Sequence, residues 1–117
     1  SWWQKEIYLV VSNKANKNSW LNKLELSGLP FDERKISYNL SVRKFSHNVD
    51  KEDLAWHRDR EDRTIDVISG NGWKFQFDNE LPFVMKSGDK IQIKKNSWHR
   101  VLRGNGDLIV RVYKHIT

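Results

Sequence analysis

The stretch "AWHRDREDR" at residues 55–63 puts a histidine, two aspartates and three arginines within reach of one another. His57 and Asp59 are two residues apart. On a β-strand, residues i and i+2 project from one face, within ~7 Å along the strand. An imidazole and a carboxylate so placed can share one metal ion. The plainer alternative for the pair alone is an ordinary hydrogen bond. A third ligand would have to come from a neighbouring strand, and the other histidines stand at 47, 99 and 115. Two histidines and one carboxylate on one face leave open positions on the metal, the arrangement suited to non-haem Fe(II).

The elements that must position these residues are short strands. "RTIDVISG" reads as a strand closed by a turn, and "GNG" at 70–72 as a tight hairpin. "WKFQFD" puts Trp73, Phe75 and Phe77 on one face, read as core before substrate-stacking platform. "FVMKSGDKIQI" holds two strands around a turn, "SWHRVLR" another, "GNGD" at 104–107 a second hairpin, and "LIVRVYK" the last strand. Upstream, "ISYNLSVRKF" (36–45) alternates, with Ile36, Tyr38, Leu40 and Val42 on the apolar face and Arg43 on the polar one. "KEIYLVV" (5–11) reads as a strand, "NKANKNS" (13–19) as a surface loop, and "SWLNKLEL" (19–26) as a short helix capped by Ser19 or an alternating strand. Turn signals every eight to twelve residues indicate an all-β sandwich or barrel.

Composition sets the outer bounds. The chain has 117 residues, enough for one domain. It has no cysteine, which excludes disulfides, thiolate metal sites and cysteine nucleophiles. Lys and Arg outnumber Asp and Glu by 21 to 15, for a net charge of +6. That balance favours anionic partners, a carboxylate or phosphate substrate before nucleic acid, because the basic residues are scattered among acids. No apolar stretch is long enough to span a membrane. The chain is expected to be cytoplasmic, and its start at Ser1 fits a processed or trimmed chain.

Residues 57–103 resemble the two motifs of the cupin superfamily. His57, Asp59, Arg63 and Gly70 stand at the spacings of the first motif, where the family usually has two histidines, a glutamate and a glycine. Gly88, Lys94, Asn96, His99 and Arg103 stand at the spacings of the second, where it has a glycine, a proline, a glycine, a histidine and an asparagine. Gly88–Asp89 is also typical of the family. The resemblance implies a double-stranded β-helix (jelly-roll) barrel of two antiparallel sheets, one domain over residues 1–117 with a short N-terminal extension. It makes His99 the third ligand. On "WHRVLR" read as a strand, His99, Val101 and Arg103 share a face.

With Asp59 in place of the second histidine, the set resembles the HxD…H triad of 2-oxoglutarate/Fe(II) oxygenases, relatives on the same fold. The resemblance implies a divalent metal, Fe(II) first, with 2-oxoglutarate as a co-substrate option. Arg63 and Arg103 are expected inside the barrel, holding an anionic substrate. Arg111 lies about where such relatives place a 2-oxoglutarate-binding arginine, but an exposed strand arginine is the favoured reading there. Gln76 either lines the pocket or faces solvent. Trp56 and Trp98 flank the ligands on the opposite face. Glu61 and Asp62 are expected to pair with neighbouring arginines, and His47 and His115 to lie on the surface. The resulting expectation is a small dioxygenase-like metalloenzyme acting on an anionic small molecule. A metal-dependent isomerase or epimerase, or a non-catalytic anion-binding cupin, is the alternative, and a homodimer is expected.

Overall fold

The computed structural model describes residues 30–116, and the expected strand at 5–11, loop at 13–19 and helix or strand at 19–26 lie outside them. Eight strands follow in order: β1 (Asp32–Ser37), β2 (Leu40–Phe45), β3 (Asp62–Asn71), β4 (Lys74–Phe77), β5 (Phe83–Val84), β6 (Lys90–Ile93), β7 (His99–Leu102) and β8 (Asn105–His115). A single 3-10 turn at Lys51–Asp53 interrupts them. The strands form a five-stranded sheet, β1-β2-β8-β3-β6, and a three-stranded sheet, β5-β4-β7. Every strand pairing within them is antiparallel.

Period-two alternation fills the space between the sheets. Ile65 and Val67 of β3, Ile91 and Ile93 of β6, and Leu108, Val110 and Val112 of β8 point inward and are buried. Trp73 and Phe75 close the core from the smaller sheet, and the Trp73 indole N–H donates to Gly106 O at 3.0 Å. These aromatics sit where the alternation of "WKFQFD" places them.

Two local expectations are corrected. Residues 36–45 are not one strand with Ile36, Tyr38, Leu40 and Val42 inside. The chain turns at Tyr38–Asn39, Ile36 and Tyr38 are exposed, and the inward residues of β2 are Ser41, Arg43 and Phe45. Phe45 decides the register. Its ring packs between Phe31 and Trp73, at centroid distances of 5.2 and 6.0 Å. Alternation then forces Arg43 and Ser41 onto the same face. The second correction concerns the glycine turns. "GNG" at 70–72 and "GNGD" at 104–107 do not close hairpins. β3 and β4 lie in different sheets, as do β7 and β8, so each turn is a corner where the chain changes sheet. Gly104 is required by contact: a Cβ there would stand 2.3 Å from Trp73 N and 2.5 Å from Asn71 O.

Candidate metal centre

His57 enters the site through one rung of β-pairing. Its N–H donates to His99 O at 3.0 Å, and the His99 N–H returns to His57 O at 2.9 Å. This reciprocal pair sets the two imidazoles side by side, with ring centroids 4.2 Å apart. Asp59, two residues on, faces the same way and is 1% exposed. Its carbonyl accepts from Asn96 N at 2.7 Å, which ties the Asp59 segment to the turn before His99. Asn96 has φ +65°, a conformation that favours glycine and next asparagine. Asparagine therefore fills the backbone role of the motif's glycine.

The imidazoles are oriented from behind. His57 Nδ1 lies 3.1 Å from Ala55 O, and His99 Nδ1 lies 2.8 Å from Ser97 O. A carbonyl only accepts, so Nδ1 carries the proton in each ring and Nε2 keeps a lone pair. Phe75 stacks on His99 at 5.5 Å and 14°, restraining its ring. One ligand atom from each of His57, Asp59 and His99 falls within 4.8 Å of the other two.

Electrostatics match that donor set. Burial, followed by the repulsion of His99, lowers the His57 pKa to about 3, so the ring is neutral. Burial opposes the charge on Asp59, but His99, Arg63 and His57 outweigh it and hold the carboxyl well below its usual range. Asp59 is thus a buried carboxylate. Yet neither of its oxygens has a hydrogen bond of good geometry among the described residues. The nearest side-chain nitrogens are Arg63 Nη1 and His99 Nε2, each at 3.4 Å. A buried anion so weakly satisfied, facing two imidazole lone pairs, has the chemistry of a divalent-cation site.

The expected site residues divide. His57, Asp59, His99 and Arg63 are brought together, and Arg63 is 2% exposed. Its closer partner is Glu61, at 2.9 Å. Among the described residues Asp62 pairs with no arginine but accepts from Lys95 N at 2.8 Å. Arg103 is not inside the barrel. It follows the end of β7, is exposed, and donates to Val49 O at 2.9 Å. Arg111 points outward on β8 beside Asp66, at 3.7 Å, because its neighbours Val110 and Val112 take the inner face. Gln76 faces away from the cavity, accepting from Arg100 Nε and donating to Glu80 O. The outer face also carries two crossed cation–π pairs, Arg100 over Trp56 at 4.6 Å and Arg58 over Trp98 at 5.1 Å. His47 and His115 are on the surface.

Arg43 is the inner residue that the sequence reading placed outside. It is 4% exposed, lies 2.7 Å from Glu33 and 4.2 Å from the Phe31 ring centre, and lines the central cavity. The signal was Phe45, the largest apolar residue of its segment, whose parity Arg43 shares. The cavity holds about 40 Å3 for water-sized occupants, with His57, Asp59, Arg63 and Arg43 among mainly apolar walls.

The sequence matches no protein-family model and no curated protein. Solved structures match in three dimensions. An RmlC-like cupin family protein with a double-stranded β-helix fold from Methanocaldococcus jannaschii superposes with a TM-score of 0.57 at 13% identity, over 72% of this chain and 76% of that one. A DMSP lyase gives 0.58 at 17% identity, over 67% of this chain and 38% of that one. The Fe(II) form of HppE gives 0.53 at 11% identity, over 65% and 41%. This chain therefore spans well under half of those last two proteins. The fold is that of the cupins, two antiparallel sheets enclosing a candidate His–Asp–His metal site.

Proposed function

We propose that this cupin-fold chain binds a divalent metal, Fe(II) first, on His57, Asp59 and His99, and acts as a small dioxygenase-like enzyme on an anionic small molecule. The observation that carries the reading is the Asp59 carboxylate, buried, charged and without a good hydrogen-bond donor, opposite two imidazoles whose Nδ1 protons are engaged elsewhere. In a two-histidine, one-carboxylate setting, Fe(II) supplies O2 activation and any divalent ion supplies Lewis-acid polarisation.

The protein's own groups do the rest. Ala55 O and Ser97 O fix the tautomers, and Phe75 fixes the His99 ring. Arg63 keeps a guanidinium beside Asp59 where the motif has a glutamate, so the centre gains positive charge and attracts an anion. Apolar walls limit the inner space to a few water-sized occupants, so only a small part of a ligand reaches the centre. Support for 2-oxoglutarate is weak, since Arg111 faces outward. The small cavity gives specific support to a second reading, a metal-holding cupin that binds without turnover or isomerises.

The test is metal content after purification without chelators, for this chain and for His99→Ala. Stoichiometric metal, lost in the variant, is expected. Oxygen uptake after anaerobic Fe(II) loading, independent of 2-oxoglutarate, is then expected to select the dioxygenase. A loaded protein that consumes no O2 selects the second reading. No metal in either protein after Fe(II) loading overturns both.

A further inference from the structure

The tripeptide Trp–His–Arg occurs twice, at 56–58 and at 98–100. The isolated β-bridge of the metal centre joins the two copies at their histidines. Antiparallel pairing about one rung is two-fold symmetric, so identical tripeptides set each tryptophan opposite the other copy's arginine. Arg100 accordingly lies over Trp56 at 4.6 Å and Arg58 over Trp98 at 5.1 Å, both within the ~6 Å reach of a cation–π contact. His57 and His99 exchange both backbone hydrogen bonds. The positions on either side are therefore of the non-hydrogen-bonded kind, where facing side chains stand closest. Arg58 Nε is buried and has no hydrogen-bond partner among the described residues, so the Trp98 ring face is what compensates this guanidinium.

The two copies are not equally anchored. The 98–100 copy runs into β7, which pairs with β4 through Phe77↔His99 and Gln76↔Arg100, and Arg100 Nε also donates to Gln76 at 2.8 Å. The 56–58 copy lies between the 3-10 turn and β3 and belongs to no strand. Yet its segment carries His57 and Asp59, two of the three candidate ligands. Among the described residues, its backbone is tied to the site by the His57–His99 exchange and by Asn96 N–H donating to Asp59 O. We propose, on the reading of His57, Asp59 and His99 as metal ligands, that the outer Trp–Arg pairs are positioning residues for the metal centre. Arg58–Trp98 and Trp56–Arg100 latch the 55–60 segment onto the start of β7 and so hold His57 and Asp59 in ligating position. None of the four side chains lines the inner cavity, so they act through the backbone of the histidines between them.

The experiment reads local opening of the segment with and without metal. In metal-free protein, hydrogen exchange at the His57, His99 and Asn96 amides reports its detachment. In Co(II)-loaded protein, transfer of Co(II) to a chelator reports release of the centre, because two of its ligands leave with the segment. Trp98→Leu and Arg58→Met are each expected to speed both processes roughly two- to fivefold. Arg58 is half-buried, so Arg58→Met keeps the test open where Trp98→Leu does not fold. Arg58→Lys keeps a cation over the indole and is expected to stay near the wild-type rates. The double variant is expected to be no faster than the faster single one. A less stable fold whose three amides and Co(II) transfer keep their wild-type rates overturns the proposal, as does equal acceleration by Arg58→Lys and Arg58→Met. If the chain takes up no Co(II) while the three amides respond as expected, the metal reading fails and the latch on the segment stands. If Co(II) is held and neither rate responds, the latch fails and the metal reading stands.

Discussion

His57 and Asp59 respond to acid in the same direction. His57 stays neutral in the fold down to about pH 3, whereas the unfolded chain protonates it near 6.5. Between these values the unfolded state binds more protons, so stability falls as pH drops from about 6.5 towards 3. Asp59 adds a loss below its ordinary value of 3.8, because its folded pKa is depressed. Denaturant melts of metal-free protein from pH 7 to 4 are expected to show this slope, at most roughly 1.4 kcal/mol per pH unit for one proton. In His57→Gln the slope over that range should flatten. A slope unchanged by the substitution would mean that His57 is not the group held neutral. At this scale the sequence was legible where spacing and chemistry coincide. The grouping of His57, Asp59 and His99 was legible through the two matching motif segments, although His57 makes only a single β-bridge and Asp59 precedes β3 rather than lying on a strand. Arg103 was misjudged for want of a strand end, whereas Arg111 lies on the exposed face that the sequence favoured. Arg103 comes just after β7 stops, and Arg111 has outward parity beside Val110 and Val112.

Among the elements, the corners decide more than the strands. Trp73 and Phe75 followed from alternation, which depends only on local sequence. The glycine turns did not, because a Gly–Asn–Gly corner and a Gly–Asn–Gly hairpin share the same backbone demands. Gly72 and Gly106 have φ of +76° and +67°, as a hairpin would also require. Which sheet receives the next strand depends on partners far along the chain. Gly104 differs because it is held by contact. Gly104→Ala would drive a methyl into the backbone at Trp73 and Asn71 and is expected to cost about 3 kcal/mol or more. Thermal melts would show it, and a loss below about 1 kcal/mol would mean that the corner relaxes freely. The hairpin at Tyr38–Asn39 was missed for a related reason. Ile36, Tyr38, Leu40 and Val42 alternate across the turn as though it were absent, and only the packing of Phe45 reveals the true inner face.

For the molecule as a whole, most contacts join residues distant in sequence. β8 sits between β2 and β3, so the largest sheet is joined by residues distant in sequence. Folding is therefore expected on a scale of roughly milliseconds to seconds, read by stopped-flow fluorescence of the buried Trp73. Microsecond folding would contradict the long-range pairing. The all-β class was legible from turn frequency, but the order of strands was not, since no local signal says that the last strand described takes a central place. That place has a consequence for synthesis. A ribosome releases β2 and β3 long before β8, so the nascent chain presents two strands with open inner edges and nothing yet to lie between them. Until β8 emerges, those edges are free to pair with other chains. The protein is thus most exposed to misassembly during its own translation, and slowing the addition of β8 should lower its soluble yield.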